Sequence, residues 1–327
     1  MREVIGVLRG GPSSEYEVSL KSGASVLEAL DREKYEPRDI FISRGGEWHL
    51  HGVPATPERA LRGVDVVFNV IHGEYGEDGR LHQVLDSFGV PYTGAGADAA
   101  VLAFNKHHTR EAVKNFGVKV AHGLVVDRPP SGDAEATAFD IFRSFPHPAV
   151  VKPVIGGSSV GVTMAESFHG LVRGLERAWQ VSPRALIEEF IPGKEATVGV
   201  IDNFRGEQTY ALMPVEIIPP AKNPFFDYDA KYGGQSIERV PGNFTQEESS
   251  ELSRVAKLVH QKLGTSHYSR SDFIVSKRGI YFLEINPAAA VGLTKESLLP
   301  KAVAAVGAKL SDFLEHIINL ARGQKRG

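Results

Sequence analysis

Val4-Ile5-Gly6-Val7-Leu8-Arg9-Gly10-Gly11-Pro12-Ser13-Ser14-Glu15 is a short apolar run closed by a glycine loop, and Val18, Leu20, Val26, Leu27 and Leu30 follow at helical spacing. The order is strand, glycine loop, helix. Outward from it the alternation repeats: 38–43 reads as a second strand, 64–70 as a third and 89–93 as a short fourth. Strands alternating with helices predict a parallel sheet covered by helices, which gathers ligands at the carboxyl ends of its strands. Gly94-Ala95-Gly96 marks a boundary, and 99–116 then reads as one helix carrying Asn105 and Lys106. A second unit has strands near 118–126 and 149–152, with a Pro/Gly loop at 128–132. The remainder runs from a strand at Leu186-Ile187-Glu188 through a polar loop at 219–241 and a helix at 246–263. It ends in a hairpin and a closing helix at 311–321.

Composition narrows the function. The chain has 327 residues, enough for two to three domains and a core that needs no staples. Hydrophobic residues make up 42% and charged residues 24%, ordinary globular usage. Cysteine is absent, which excludes a thiolate nucleophile and sulfur-bound metals and leaves oxygen or imidazole ligands for any cation. Net charge is −3 and no basic block stands out, so nucleic acid is excluded as an expected partner. Arg9 comes too early for a signal-peptide core, and no apolar run approaches the ~18 residues of a membrane span. A soluble cytoplasmic protein is expected. The 34 glycines exceed the roughly 23 of average usage, and many fall in loops suited to ligands.

Tyr268-Ser269-Arg270-Ser271-Asp272-Phe273-Ile274-Val275-Ser276, Lys277-Arg278-Gly279 and Ile280-Tyr281-Phe282-Leu283-Glu284-Ile285-Asn286 read as a β-hairpin. A three-residue turn at 277–279 would set Asp272 opposite Glu284 and Arg270 opposite Asn286, all four on one face. Two carboxylates at roughly 5 Å between Cβ atoms repel unless a cation lies between them. With an amide oxygen beside them they suit Mg²⁺. The competing reading is a solvated face on which Arg270 neutralises Asp272.

Three glycine loops add candidates. Lys152 ends a strand before Gly156-Gly157-Ser158-Ser159-Val160-Gly161, a loop that either closes backbone N–H groups on phosphate or makes a tight hairpin. It lacks the Gly-Lys-Ser/Thr ending of a Walker P-loop. His72-Gly73-Glu74-Tyr75-Gly76-Glu77-Asp78-Gly79 either opens backbone to a ligand beside acids that attract a cation, or is a turn with solvated acids. The 10–15 loop lacks the Gly-x-Gly-x-x-Gly spacing of a dinucleotide site, which disfavours a dehydrogenase.

In order along nearly the whole chain, these segments resemble the D-alanine–D-alanine ligases of the ATP-grasp superfamily. The resemblance is carried by 10–23, 72–79, 90–94, Asn105-Lys106, Lys152-Pro153, 157–161, Glu188, Glu195, 226–232 and Arg270-Ser271-Asp272. It implies an α/β and α+β fold of three domains: an N-terminal α/β (Rossmann-like) substrate domain at 1–94 and two ATP-clasping domains at 95–186 and 187–327. It implies that Lys106 and Lys152 hold ATP phosphates, Glu188 lies at the adenine pocket, Glu195 binds ribose and Lys231 contacts the γ-phosphate. Asp272, Glu284 and Asn286 would bind two Mg²⁺, with Mn²⁺ as a substitute. Glu15 would pair with the first D-alanine's ammonium in a network with Ser158 and Tyr232, His72 would lie near its carboxylate, and Arg270 would stabilise the oxyanion.

The reaction so implied phosphorylates one D-alanine with ATP, and the amine of a second D-alanine attacks the acyl phosphate, giving D-alanyl-D-alanine for peptidoglycan precursors. A wet acyl phosphate hydrolyses, so a closing lid is expected, with 219–241 the candidate. The resemblance also implies a homodimer with small-molecule substrates and no membrane insertion. One stretch departs from the pattern. After Glu-x-Asn the family usually reads Thr-x-Pro-Gly, whereas here Pro287-Ala288-Ala289-Ala290-Val291-Gly292 is two residues longer with proline displaced. In the family this loop offers an N–H to the oxyanion and, through a following Ser-Leu, holds the second substrate, roles that would fall to Gly292, Ser297 and Leu298. The alternatives are a ligase for another acceptor, such as D-serine or D-lactate, and an inactive nucleotide-binding relative. Tyr232 argues against D-lactate.

Overall fold

The computed structural model describes residues 2–219 and 237–324. The first sheet has five strands: β1 (Glu3–Gly10), β2 (Tyr35–Ile42), β3 (Trp48–Leu50), β4 (Val53–Pro54) and β5 (Val66–Asn69), ordered β4-β3-β2-β1-β5. β1 pairs in parallel with both β2 and β5, so its carboxyl end, where the 10–15 loop begins, lies between two parallel neighbours. Helix Tyr16–Ala29 packs back on β1. The expected fourth strand at 89–93 is reduced to one bridge between Val67 and Tyr92. Pro91, having no N–H, gives only its carbonyl to Val67.

The expected helix over 99–116 is two helices, Ala97–Phe104 and Lys106–Lys114. Asn105 breaks them with extended backbone (φ −98°, ψ 103°), and its side chain accepts from the His108 N–H at 3.0 Å. Asparagine stabilises a helix start better than a helix interior. The break places Lys106 at the first turn of a new helix, and an antiparallel Asn105–Ile155 bridge ties that start to the segment before the glycine-serine loop.

The second sheet is antiparallel: β6 (Gly123–Asp127), β7 (Ala149–Pro153), β8 (Thr163–Ala165) and β9 (Arg184–Glu189), in the order β6-β9-β7-β8. Helices Ala134–Ser144 and Phe168–Val181 bury Ile141, Leu171, Leu175 and Trp179 against it. The third sheet comprises β10 (Lys194–Phe204), β11 (Glu207–Ala211), β12 (Val215–Ile218), β13 (Ile237–Arg239), β14 (Tyr268–Ser276) and β15 (Gly279–Pro287). Its order is β13-β12-β10-β14-β15, with β11 added to β10. Helix Gln246–Lys262, started by a Thr245/Glu248 capping box, covers it with Leu252, Val255, Ala256 and Val259. Each of these side chains contributes about 1–3 kcal/mol by leaving water. Helix Leu310–Gly323 then joins the third unit to the first through Phe313, Ile317 and Ile318 in one shared core with Val26 and Phe68. No described helix is long and apolar enough to cross a membrane.

Candidate active site

A cavity opens between the second and third sheets, with Lys152 and Glu188 on one wall, Glu195, Arg270 and Asp272 on the other, and Lys106 and Glu284 at its edge. The hairpin supplies the third-sheet wall, but by a different route from the one expected. Ser276 pairs with Gly279, so the turn is the two residues Lys277-Arg278, and a bulge between Asp272 and Phe273 restores the register. Asp272 therefore faces Glu284 and Arg270 faces Asn286, as the longer turn would also have placed them.

That face is buried, not solvated: Arg270 and Asp272 are 7% and 8% exposed. The Arg270–Asp272 pair nevertheless forms, as a two-pronged contact at 3.0 and 2.9 Å. Thr197 donates to the other side of Asp272 at 2.5 Å, and the Asn286 amide donates to it at 3.0 Å. Glu284 is more open and stands 3.7 Å from the Lys106 ammonium. Among the described residues no group of three carboxylates or imidazoles converges, so the donor set here is two facing carboxylates and one amide oxygen. That all-oxygen set fits a hard cation that completes its shell with water and phosphate. Sequence reasoning missed Thr197. The available signal was strand alternation, since Thr197 follows Glu195 by two residues and lies on the same face.

The other wall is built on a buried charge cluster. Glu188 on β9 contacts both Arg110 and Lys152, and all three are under a tenth exposed. Arg110 also donates to the Ala121 carbonyl at 2.8 Å. Burial pulls the Lys152 pKa down to about 7, Glu284 opposing the shift and Lys106 and Arg110 adding to it, while contact with Glu188 favours the ammonium. Arg110 was not anticipated. It sits one helical turn after Lys106, which would have pointed to a shared face.

Three glycine loops meet at Glu15, the residue just before helix Tyr16–Ala29. Ser158 donates to Glu15, and both are buried. Ser158 and Ser159 have φ of 51° and 58°, a left-handed backbone that costs non-glycine residues about 1 kcal/mol each or more. A Cβ on Gly157 would stand 2.4 Å from a Glu15 carboxylate oxygen, so a larger residue there would displace the Glu15 carboxylate from its place beside Ser158. In the 72–79 loop a Cβ on Gly76 would lie 1.9 Å from the Ile71 carbonyl oxygen. Gly76→Ala is thus expected to lower stability by roughly 2–3 kcal/mol, measured by denaturant unfolding; an unchanged midpoint would refute the close approach.

Glu77, one of the acids of the 72–79 loop, completes this cluster. It accepts the Gly73 N–H at 2.5 Å. Loss of solvation, and then the charge of Glu15, push its carboxyl up to about 8, with the Gly73 bond and Lys106 acting against the shift. The folded state therefore holds this proton more tightly than the unfolded chain does. Its stabilising share is complete below the ordinary carboxyl range and is lost as pH rises through about 8. Relative to Glu77→Gln, the parent protein should lose stability between pH 5 and 8 in paired denaturation curves, and parallel pH profiles would contradict the shift.

His72 is buried, its carbonyl accepting from Ser13 at 2.6 Å. Lys106 donates to the Gly156 carbonyl at 2.5 Å, closing the glycine-serine loop. In the departing stretch Pro287 is the last residue of β15, and Ala288–Ala290 form one 3₁₀ turn. Ala288 is fully buried under Gly94, where an added Cβ would lie 2.7 Å away. The additional residues thus fill the seam between units. Gly292 abuts Ser297, whose hydroxyl is 2.8 Å from that of Thr294, and Leu298 lines the cavity. Lys231 and Tyr232, with the 226–232 loop, lie outside the described residues.

The family model described as D-ala D-ala ligase C-terminus matches residues 112–319, and that for the N-terminus matches 4–59 and 51–95. A D-alanine--D-alanine ligase of Syntrophobacter fumaroxidans is 37% identical over 320 residues, covering 97% of each chain. That of Halalkalibacterium halodurans is 36% identical, covering 97% of this chain and 98% of its own. Among solved structures, the VanG D-Ala:D-Ser ligase of Enterococcus faecalis superposes with a TM-score of 0.83 at 27% identity, covering 98% of this chain and 100% of that one. The D-alanine-D-alanine ligase of Coxiella burnetii gives 0.82 at 23% identity, covering 98% and 94%, and supports the fold. With both family models matched and near-complete coverage above 30% identity, the chain belongs to the D-alanine–D-alanine ligase family.

Proposed function

We propose that this protein is an ATP-dependent, ADP-forming ligase that joins two D-alanines through a D-alanyl phosphate, supplying the dipeptide for peptidoglycan precursors. The observation that carries the reading is the cavity lined by the facing Asp272 and Glu284, by Lys106 and Lys152, and by Gly157 and Ser159, which flank the Ser158 that donates to Glu15. A carboxylate is a poor electrophile, and this arrangement meets that difficulty with charge. Lys106 and Lys152 would offset phosphate charge, Glu188 would lie at the adenine pocket and Glu195 would take the ribose hydroxyls. Lys231 is assigned to the γ-phosphate. Asp272, Glu284 and Asn286 would hold Mg²⁺, two ions, or Mn²⁺ in their place. When bound, the metal lends Lewis-acid charge to the transferring phosphoryl group.

Glu15 would fix the ammonium of the first D-alanine, with Ser158 and Tyr232 in the same network, so that its carboxylate oxygen points at phosphorus. The new oxygen–phosphorus bond forms as the γ-phosphoryl bond to ADP breaks. The second amine then attacks the acyl carbon, its oxyanion held by Arg270 and the Gly292 backbone, and phosphate leaves as the amide forms. Ser297 and Leu298 would place the acceptor carboxylate, and His72 that of the donor. Domain limits of 1–94, 95–186 and 187–327, a homodimer and a cytoplasmic location complete the reading. The test is product analysis after incubation with ATP, Mg²⁺ and D-alanine, with D-serine and D-lactate as competing acceptors. D-alanyl-D-alanine formed with equal ADP and phosphate supports it. A mixed dipeptide or depsipeptide as the main product, or none at all, would overturn it.

A further inference from the structure

Ser22 lies in the middle of helix Tyr16–Ala29 and is fully buried. Its hydroxyl does not bond back to its own helix. It stands 3.3 Å from His72 Nε2 and 3.4 Å from the backbone N of Leu293. One oxygen thus joins three segments far apart in sequence: the first helix, the loop after β5 and the stretch that follows β15. The direction of each bond can be worked out. A backbone N–H only donates, so the Ser22 oxygen accepts from Leu293. A buried hydroxyl engages its own proton as well, and His72 Nε2 is the one acceptor within its reach among the described residues. Nε2 is then unprotonated, and neutral His72 carries its proton on Nδ1.

We propose that Ser22 is a positioning residue for the two D-alanine subsites of the reaction. It holds His72 in the Nδ1–H tautomer and locks the peptide between Gly292 and Leu293, tying the donor and acceptor subsites into one unit. This rests on the ligase reading above. The Nδ1–H form is neutral and adds no positive charge to a site where an ammonium must also bind. Fixing the Gly292–Leu293 peptide sets the start of the turn in which Thr294 meets Ser297.

The test combines spectroscopy and kinetics on the full chain. Long-range proton–nitrogen spectra, with the His72 signals identified by their loss in His72→Asn, should show the Nδ1–H pattern in the parent protein. In Ser22→Ala they should show mixed tautomers. The same variant should raise KM for acceptor D-alanine about tenfold, the scale of one buried hydrogen bond, and leave KM for ATP unchanged. Ser22→Cys, close in volume but a weak donor, should fall between. An Nε2–H tautomer in the parent protein would overturn the proposal, as would an unchanged acceptor KM in Ser22→Ala. A parallel rise of KM for ATP and acceptor would do the same, marking a general folding defect. A parent protein that forms no dipeptide would remove the ligase reading and the acceptor role together, with the tautomer still decided by the spectrum.

Discussion

Glu284→Gln is expected to lower dipeptide formation about a thousandfold, since a missing metal-binding carboxylate forfeits several kcal/mol of transition-state charge stabilisation and ~4 kcal/mol is about three decades in rate. Folding should be nearly unaffected. Glu284 is about a third exposed, and its cationic neighbour Lys106 stays bonded to the Gly156 carbonyl. Asp272→Asn should also abolish turnover but at a cost in stability, because it leaves buried Arg270 without its anionic partner. That contrast would separate the two carboxylates, one proposed to serve the metal and the other both the metal and the fold. Steady-state rates alongside thermal unfolding would measure it. Parent-like turnover in Glu284→Gln would dismiss the facing pair as a metal site.

Glu188→Ala should be the most destabilising single change in the second unit. It strands Arg110 and Lys152 in the interior, and breaking a buried ion pair by removing one partner costs about 3–5 kcal/mol. The melting temperature should fall on the order of 10 °C. Lys152 can relieve part of the strain by shedding its proton, for which its pKa is already lowered, whereas Arg110 cannot. The double variant Arg110→Met with Glu188→Leu should therefore recover much of the loss. Equal destabilisation by the single and double variants would mean that the cluster acts through packing and not through charge. On the ligase reading, ATP binding should weaken in both, because each loses the carboxylate proposed to lie at the adenine pocket.

The hairpin shows how much of the site was legible. Its two runs and short turn are plain in the sequence, and strand alternation set Asp272, Glu284, Arg270 and Asn286 on one face. The turn length was misjudged, and the bulge that compensates for it left no local mark, because a bulge answers to the strain of a twisted sheet and not to residue type. The break at Asn105 is a similar case. The apolar spacing on either side suits one helix, yet capping chemistry at a single residue divides it and aims Lys106 at the glycine-serine loop. Arg110 and Thr197 belong to no motif and Ser22 lies within the 10–23 stretch, yet all three stand out only through their contacts in the fold.

Sequence by itself determined the alternation of elements, the exclusion of thiol chemistry and the positions of the glycine loops, because these follow from local periodicity and from residues that are absent. It also carried the family through ordered motifs spread over the chain. Tertiary structure decided which charges meet. Arg110, Lys152 and Glu188 come from a helix and two strands and converge only when the second sheet assembles. Glu15 and Glu77 come from separate loops of the first unit, and burial first, then the nearby Glu15 charge, raises the Glu77 pKa. Such encounters depend on long-range packing, where a desolvated charge finds a partner or changes its protonation. No pattern of neighbours along the chain encodes that outcome.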